Sequence, residues 1–407
     1  MTTSAIQAGA TTSPASVPPR RAEITYFYGI RGISCVYVML FHLNYIVLAA
    51  YHGAVSPLYA RLTDWMRVGD FRVSAFFVIS GYLLTLPTLK TKGWQLRDGI
   101  KAFMARRAER LLFPYYAAFA LSVVLYLAWR YVIGDPPGLH GTLAGIVAHL
   151  LLIHNLDPRT NLMINDTLWN VALEFQCYLL FAFVLLPVMR RFGPLAQLLT
   201  AAAIGLGPHF LLHGFLDWTR PWFITLYAMG VTVAAISSPA NPTLKAAERS
   251  IPWGAIWLTM STASLIAIVA SGVDTPYGAG WLQNICIGVA VSSFLVFTRT
   301  GLRGPLGALG RWVVWFLERP ALVRLGRFSY STYLIHYPIL RLAVAITAMF
   351  TPSILTLGAL AFFIYAPITL VLAYAFHVRF ELPWQTRRIL SARRVVPATA
   401  IERQEAA

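Results

Sequence analysis

Apolar runs of 17 to 24 residues, separated by short polar loops, recur along most of the chain. They predict membrane-spanning helices over residues 27–50, 71–89, 111–133, 168–189, 195–213, 221–237, 252–270, 281–298, 328–349 and 355–378. Such lengths suit a hydrocarbon core of roughly 30 Å, in which backbone amides must be satisfied within the helix itself. An eleventh apolar piece, LAGIVAHLLLIHNL (143–156), is short for a span and carries two histidines. RWVVWFLE (311–318), inside a long basic loop, reads as a short helix lying in the membrane interface. The pattern is that of an all-α, polytopic transmembrane helical bundle of about ten spans.

Composition supports the same picture. Of 407 residues, 57% are hydrophobic and 12% charged, with a mean hydropathy of +0.62, whereas soluble domains carry about one quarter charged residues. The formal net charge of +17 would raise the question of nucleic acid in a soluble protein. Here the basic residues sit in the 90–110 and 299–327 loops and beyond residue 378, as the positive-inside rule asks of cytosolic segments. The expected macromolecular partner is therefore the lipid bilayer, with no nucleic acid. If 143–156 crossed fully, every later basic loop would face outward. The charge pattern thus keeps this segment re-entrant or on the outer surface, and puts both termini in the cytosol. Arg61 and Arg67, in the first outer loop, are exceptions. Residues 1–24 read as a polar, Pro-rich cytosolic arm without a cleavable signal, 25–378 as the membrane domain, and 379–407 as a basic cytosolic tail. Cys35, Cys177 and Cys286 all lie inside apolar runs and form no metal or disulfide motif.

Ionisable residues inside spans are costly and hence functional candidates. Arg31 and His42 stand eleven residues apart, ~3 turns, so they share a face ~16 Å apart along the axis. Singly, an anchor and a packing hydrogen bond would be the plainer readings; as a pair they point to chemistry. Glu174 and Tyr178 share a face of the fourth span at i, i+4. Depth counted from the helix ends sets Glu174 level with His42, where a carboxylate would orient an imidazole and raise its basicity. Ser329, Tyr333 and His336 form a polar stripe ending near Pro338, either packing or a ligand-lining wall. Ser80–Gly81 is small enough to admit a ligand or a neighbouring helix closely. Arg106, Arg107 and Arg110 mark the mouth of the third span, as a topology signal or as a guanidinium cluster for phosphate. No Gly-rich phosphate loop or metalloprotease motif is present, and no metal is expected.

In this order the stretches GIRG…FH (29–42), FFVISGY (76–82), ARRAERLLFPYY (105–116), LWNVALEFQCYLL (168–180) and SYSTYLIHYP (329–338) resemble the integral-membrane acyltransferase-3 family over about 25–378. The resemblance implies a cell-membrane O-acyltransferase with acyl-coenzyme A, most often acetyl-coenzyme A, as donor co-substrate. It implies a carbohydrate or glycolipid hydroxyl as acceptor, with a macrolide-type product as the alternative. His42 and Glu174 are then the expected catalytic residues. Arg31, Ser80, Tyr178, Ser329, Tyr333 and His336 would bind substrate, and Arg106, Arg107 and Arg110 the coenzyme's phosphates. Arg31, Tyr333 or His336 would oppose the developing oxyanion. Tyr28, Ser74 and Phe175 stand where the family often has carboxylates, which leaves substrate identity open. A transporter or flippase is the rival reading, though it would more naturally show two related halves, and the first-span motif has no counterpart in the second half.

Overall fold

The computed structural model describes residues 22–66, 73–134, 142–237, 241–270, 280–302, 304–351 and 353–383. The N-terminal arm to residue 21, Arg67, the loops over 135–141 and 271–279 that the charge pattern assigns to the outer side, Arg303 and the basic tail from 384 lie outside the described residues. The described residues hold helices and no strand.

The predicted spans coincide with α1 (Ala22–Ala50), α3 (Val73–Leu89), α4 (Gly99–Val132), α7 (Trp169–Leu180) running on into α8 (Leu186–Leu211), α9 (Phe223–Ile236), α11 (Trp253–Ala270), α12 (Gly280–Thr300), α15 (Ser329–Ala348) and α16 (Ile354–Leu360) continuing into α17 (Ala366–Phe376). Between them lie α2 (Pro57–Thr63), α5 (Leu143–Leu150), α6 (Pro158–Asn161), α10 (Pro242–Ser250), α13 (Gly307–Leu317) and α14 (Pro320–Arg327). Five helices among the described residues, from 21 to 43 residues long, are apolar and long enough by themselves to cross a membrane. The fourth and fifth predicted spans are one such helix, Trp169–Leu211, broken at Gly193, whose φ of 90° and ψ of 174° leave the helical region. A side chain there would strain the backbone.

Helix α5 has eight residues, ~12 Å, too short to cross. With the turns over 154–168 it forms a cap against α4 and α7, held by Tyr115 donating to the carbonyl of His149 (2.9 Å) and by Gln176 pairing with Asn155 (2.8 Å). Helix α13 presents Trp312, Trp315 and Phe316 outward, at 58%, 52% and 42% exposure, an aromatic face suited to the interface.

Glycines set the close approaches. A Cβ on Gly81 would lie 2.0 Å from the carbonyl oxygen of Tyr227, and one on Gly230 1.9 Å from that of Val78, so α3 and α9 touch backbone to backbone. In the same way Gly29 meets Leu317, and Gly326 meets Tyr28, which locks α1 against the α13–α14 corner.

Pro338 has no amide proton, so the carbonyl of Leu334 loses its helical partner. Asn165 Nδ2 donates to that carbonyl at 3.0 Å, and Tyr333 Oη to the carbonyl of Thr167 at 2.8 Å. The turn entering α7 is thereby stapled to α15.

Candidate functional site

His42 on α1 and His336 on α15 meet, with Nδ1 of His42 2.8 Å from Nε2 of His336 and the rings stacked at a centroid distance of 5.1 Å. The tautomers follow from the surroundings. Nδ1 of His336 lies 2.9 Å from the carbonyl oxygens of both Thr332 and Tyr333. Carbonyls only accept, so this nitrogen is the protonated one, and Nε2 of the neutral ring is an acceptor. His42 must then donate from Nδ1, which leaves its own Nε2 lone pair unprotonated and available. His336 is 1% exposed, while His42 is half-buried. The pair is thus an anchored histidine that fixes the proton position of a more accessible one.

The histidines lie between two cavities. The first, of about 200 Å3, takes in Arg31 from α1, Ser80 from α3, and Arg107 and Arg110 from α4. Across it stand Asn170, Glu174 and Tyr178 of α7, and Ser329, Tyr330 and Tyr333 of α15. Two buried polar atoms in its wall, Arg31 Nε and Asn170 Oδ1, have no hydrogen-bond partner among the described residues. Such orphans are rare in folded proteins and point to a polar ligand. The second cavity, of about 550 Å3, is lined by Tyr45 and His52, by Trp129, and by Asp166, Tyr337 and Arg341. On α1 the lining changes from Arg31 to Tyr45 across His42, and on α15 from Tyr333 to Tyr337 across His336. The histidine pair is the septum.

Eight of the residues singled out in the sequence, Arg31, Ser80, Arg107, Arg110, Glu174, Tyr178, Ser329 and Tyr333, therefore gather in one cavity. Arg106 does not line it, because its guanidinium is turned to Asp98 (3.0 Å) and to the carbonyl of Arg97. Glu174 accepts from Ser80 Oγ at 3.0 Å and from Tyr178 Oη at 2.6 Å. The hydrogen-bond partner of His42 is His336, and Glu174 lies deeper, within electrostatic reach of Arg31. The depth comparison misses this because α7 starts beneath the cap over 143–168 rather than at the membrane surface. The hydroxyl of Tyr333 is engaged by Thr167 and both nitrogens of His336 are engaged, so neither side chain has a donor to spare for an oxyanion.

Sequence reasoning passed over three features. Glu381 lines the first cavity, with Ser331 Oγ (2.7 Å) and His377 Nδ1 (2.8 Å) on its carboxylate. The last span runs past residue 378 through a π-helical turn, His377–Glu381, and the i, i+4 His/Glu pair at the end of an apolar run was the available signal. Arg220 follows the turn over Asp217–Thr219 with a left-handed φ of 50°. Its guanidinium covers the Trp169 ring at 4.2 Å, and its charge reaches His42. No spacing in the sequence marks it. The polar wall of the second cavity (Asp166, Tyr337, Arg341) is dispersed over two segments and equally silent. Among the described residues, no three His, Cys, Asp or Glu side chains gather as a metal ion would require.

Residues 24–378 match the acyltransferase-3 family profile, described as an acyltransferase domain. The O-acetyltransferase OatA of Staphylococcus aureus is 24% identical over 343 residues, a match covering 77% of this chain and 50% of OatA. A second protein, from Staphylococcus aureus strain COL and provisionally named as an O-acetyltransferase, is 23% identical over 334 residues with the same coverage. The chain spans about half the length of these curated relatives. No solved structure matches it.

Proposed function

The chain belongs to the acyltransferase-3 family, and on that premise we propose that it moves an acyl group, acetyl foremost, from cytosolic acyl-coenzyme A to a hydroxyl of a carbohydrate or lipid-linked glycan. The observation that carries the proposal is the His42–His336 hydrogen bond between two cavities, with the tautomer it imposes.

In this reading the acyl donor enters the Arg31 cavity from the side where Arg107 and Arg110 stand, which offers fork-shaped guanidinium donors to phosphate. Arg31, ~16 Å from His42 along α1, holds the donor's arm rather than its carbonyl. The acceptor hydroxyl gives its proton to Nε2 of His42 as its oxygen bonds to the acyl carbon. The carbon–sulfur bond breaks, and the coenzyme sulfur leaves with that proton from His42. The products are an ester and a free thiol, and the histidine returns to its starting tautomer. Arg220 is placed to oppose the negative charge that develops on the carbonyl oxygen. Glu174, fixed by Ser80 and Tyr178, offsets the positive charge of Arg31 and keeps the polar wall in register. An acyl-His42 intermediate would use the same unprotonated nitrogen as nucleophile.

The test is coenzyme A release from labelled acetyl-coenzyme A by the protein in lipid, with and without glycan acceptors. Release is expected in the wild type and its loss in His42→Ala, with insertion and thermal stability retained. Wild-type release in that variant would overturn the assignment. Two cavities facing each other across a closed septum would also suit a carrier. Binding and translocation of a solute without any coenzyme release would favour that second reading.

A further inference from the structure

The Arg341 cavity differs in chemistry from the Arg31 cavity, and the difference defines what it can hold. At about 550 Å3 it falls within the size range of small-ligand sites. Its walls carry three aromatic side chains, Tyr45, Trp129 and Tyr337, with Tyr45 57% exposed. Besides the tyrosines, its ionisable groups are one carboxylate, one guanidinium and the imidazole of His52. Asp166 accepts from Tyr337 Oη at 2.5 Å through Oδ2, and its Oδ1 has no hydrogen-bond partner among the described residues. Arg341 lies over the Trp129 ring at 5.0 Å and makes no hydrogen bond or ion pair among the described residues, so its N–H donors are uncommitted. The carboxylate and the guanidinium are both held in place by their neighbours. Asp166 sits on the turn stapled to α15 by Asn165 and Thr167, and Arg341 is braced by Trp129.

We propose that this cavity is the acceptor's site and that it selects an uncharged sugar ring, with Asp166 and Arg341 gripping ring hydroxyls and Trp129 or Tyr45 covering the ring's C–H face. The inference rests on the acyl-transfer reading above. A carboxylate takes two neighbouring hydroxyls as donors, a guanidinium offers two parallel donors in return, and flat aromatic faces fit the apolar face of a pyranose. Asp166 and Arg341 together contribute no net charge to attract a phosphate or a carboxylate. An alkyl chain would leave Oδ1 of Asp166 and the guanidinium of Arg341 without partners, at a cost. The position completes the argument. Tyr45 lies three residues beyond His42 and Arg341 five beyond His336, ~5 and ~8 Å along their helices. A ring held there presents a hydroxyl to the septum from the side opposite the donor.

The experiment is protection from labelling. Ala49, exposed and on the cavity wall, is replaced by cysteine (Ala49→Cys) in the full chain in lipid nanodiscs. Wild type serves as the control for labelling at Cys286, which is partly exposed, while Cys35 and Cys177 are buried. The probes are uncharged methyl glycosides of hexoses and N-acetylhexosamines, with hexose 6-phosphates and acetyl-coenzyme A for comparison. Labelling by a charged maleimide is expected to slow at least threefold with one or more uncharged glycosides, in the absence of any donor. That protection should vanish when Asp166→Asn is added, and separately when Trp129→Leu is added. No slowing by any uncharged glycoside, equal slowing by the sugar phosphates, or slowing by acetyl-coenzyme A alone would each overturn the proposal. Because labelling needs no turnover, it stands apart from coenzyme release. Protection without release would keep the sugar site and remove the donor assignment, and release without protection would do the reverse.

Discussion

At the scale of single residues, the working unit is a hydrogen bond between two histidines 294 positions apart in the chain. Replacing His336 with phenylalanine keeps a flat ring but removes the acceptor that holds the proton on Nδ1 of His42. General-base catalysis contributes typically ~10²–10⁴-fold, so His336→Phe should lower kcat by at least ~10²-fold. KM for acetyl-coenzyme A should change little, since in the proposed reading the donor's phosphates are held by Arg107 and Arg110. Steady-state kinetics on the two constants separate a loss of base strength from a loss of binding. Both histidines stood out in the sequence because an imidazole in an apolar run demands a partner. The identity of that partner did not, because depth counted along a helix says nothing about where the helix begins. Glu174 illustrates the point: α7 follows a cap of short helices and turns, and the sixth residue of the helix shares a cavity with Arg31 rather than a hydrogen bond with His42. Glu381 was lost for the opposite reason, a helix that outlasts its apolar run.

At the scale of elements, helix positions were legible and helix contacts were legible wherever a glycine made them. The α3–α9 seam depends on Gly81, where an added methyl would sit 2.0 Å from the backbone oxygen of Tyr227. Overpacking typically costs ~1–3 kcal/mol, and here the obstructing atom is main chain and cannot rotate away. Gly81→Ala should therefore lower the melting temperature in detergent and, through Ser80, disturb Glu174. Gly207→Ala, whose added methyl would meet nothing nearer than 3.9 Å, should leave the melting temperature unaltered or raise it. The cap offers a pH test. His149 and His154 are stacked at 3.9 Å and fully buried, and burial pushes them down to about 4 and about 3 from an ordinary value of 6.5. They stay neutral in the folded cap while the unfolded chain takes up protons below 6.5, so stability falls as pH drops from there toward 4. The slope is at most ~1.4 kcal/mol per pH unit for each histidine. His149→Phe, which keeps the stack on Phe119, should flatten the decline in a thermal-shift series from pH 7 to pH 5.

At the scale of the whole molecule, hydropathy and loop charge foretold a polytopic bundle, and the order of motifs foretold its family. The division of the interior into two chambers was not legible, because the first is walled by α1, α3, α4, α7, α15 and the His377–Glu381 turn, the second by α1, α4, α15 and the turn before α7, and their identity depends on packing alone. That division has an electrical side. A membrane protein with cavities on either side of a hydrogen-bonded histidine pair would short-circuit the proton-motive force if both cavities filled with water and the pair relayed protons. The structure breaks the wire at one end. Nδ1 of His336 is tied to two carbonyl oxygens that can take no proton, so a proton passed from His42 to Nε2 of His336 has no onward acceptor unless a buried ring turns over. Vesicles containing the purified protein should accordingly hold an imposed pH gradient as long as protein-free vesicles do, as followed with a pH-sensitive dye. The same pair of carbonyls that makes His42 a base in the proposed reaction would also make the bundle an insulator.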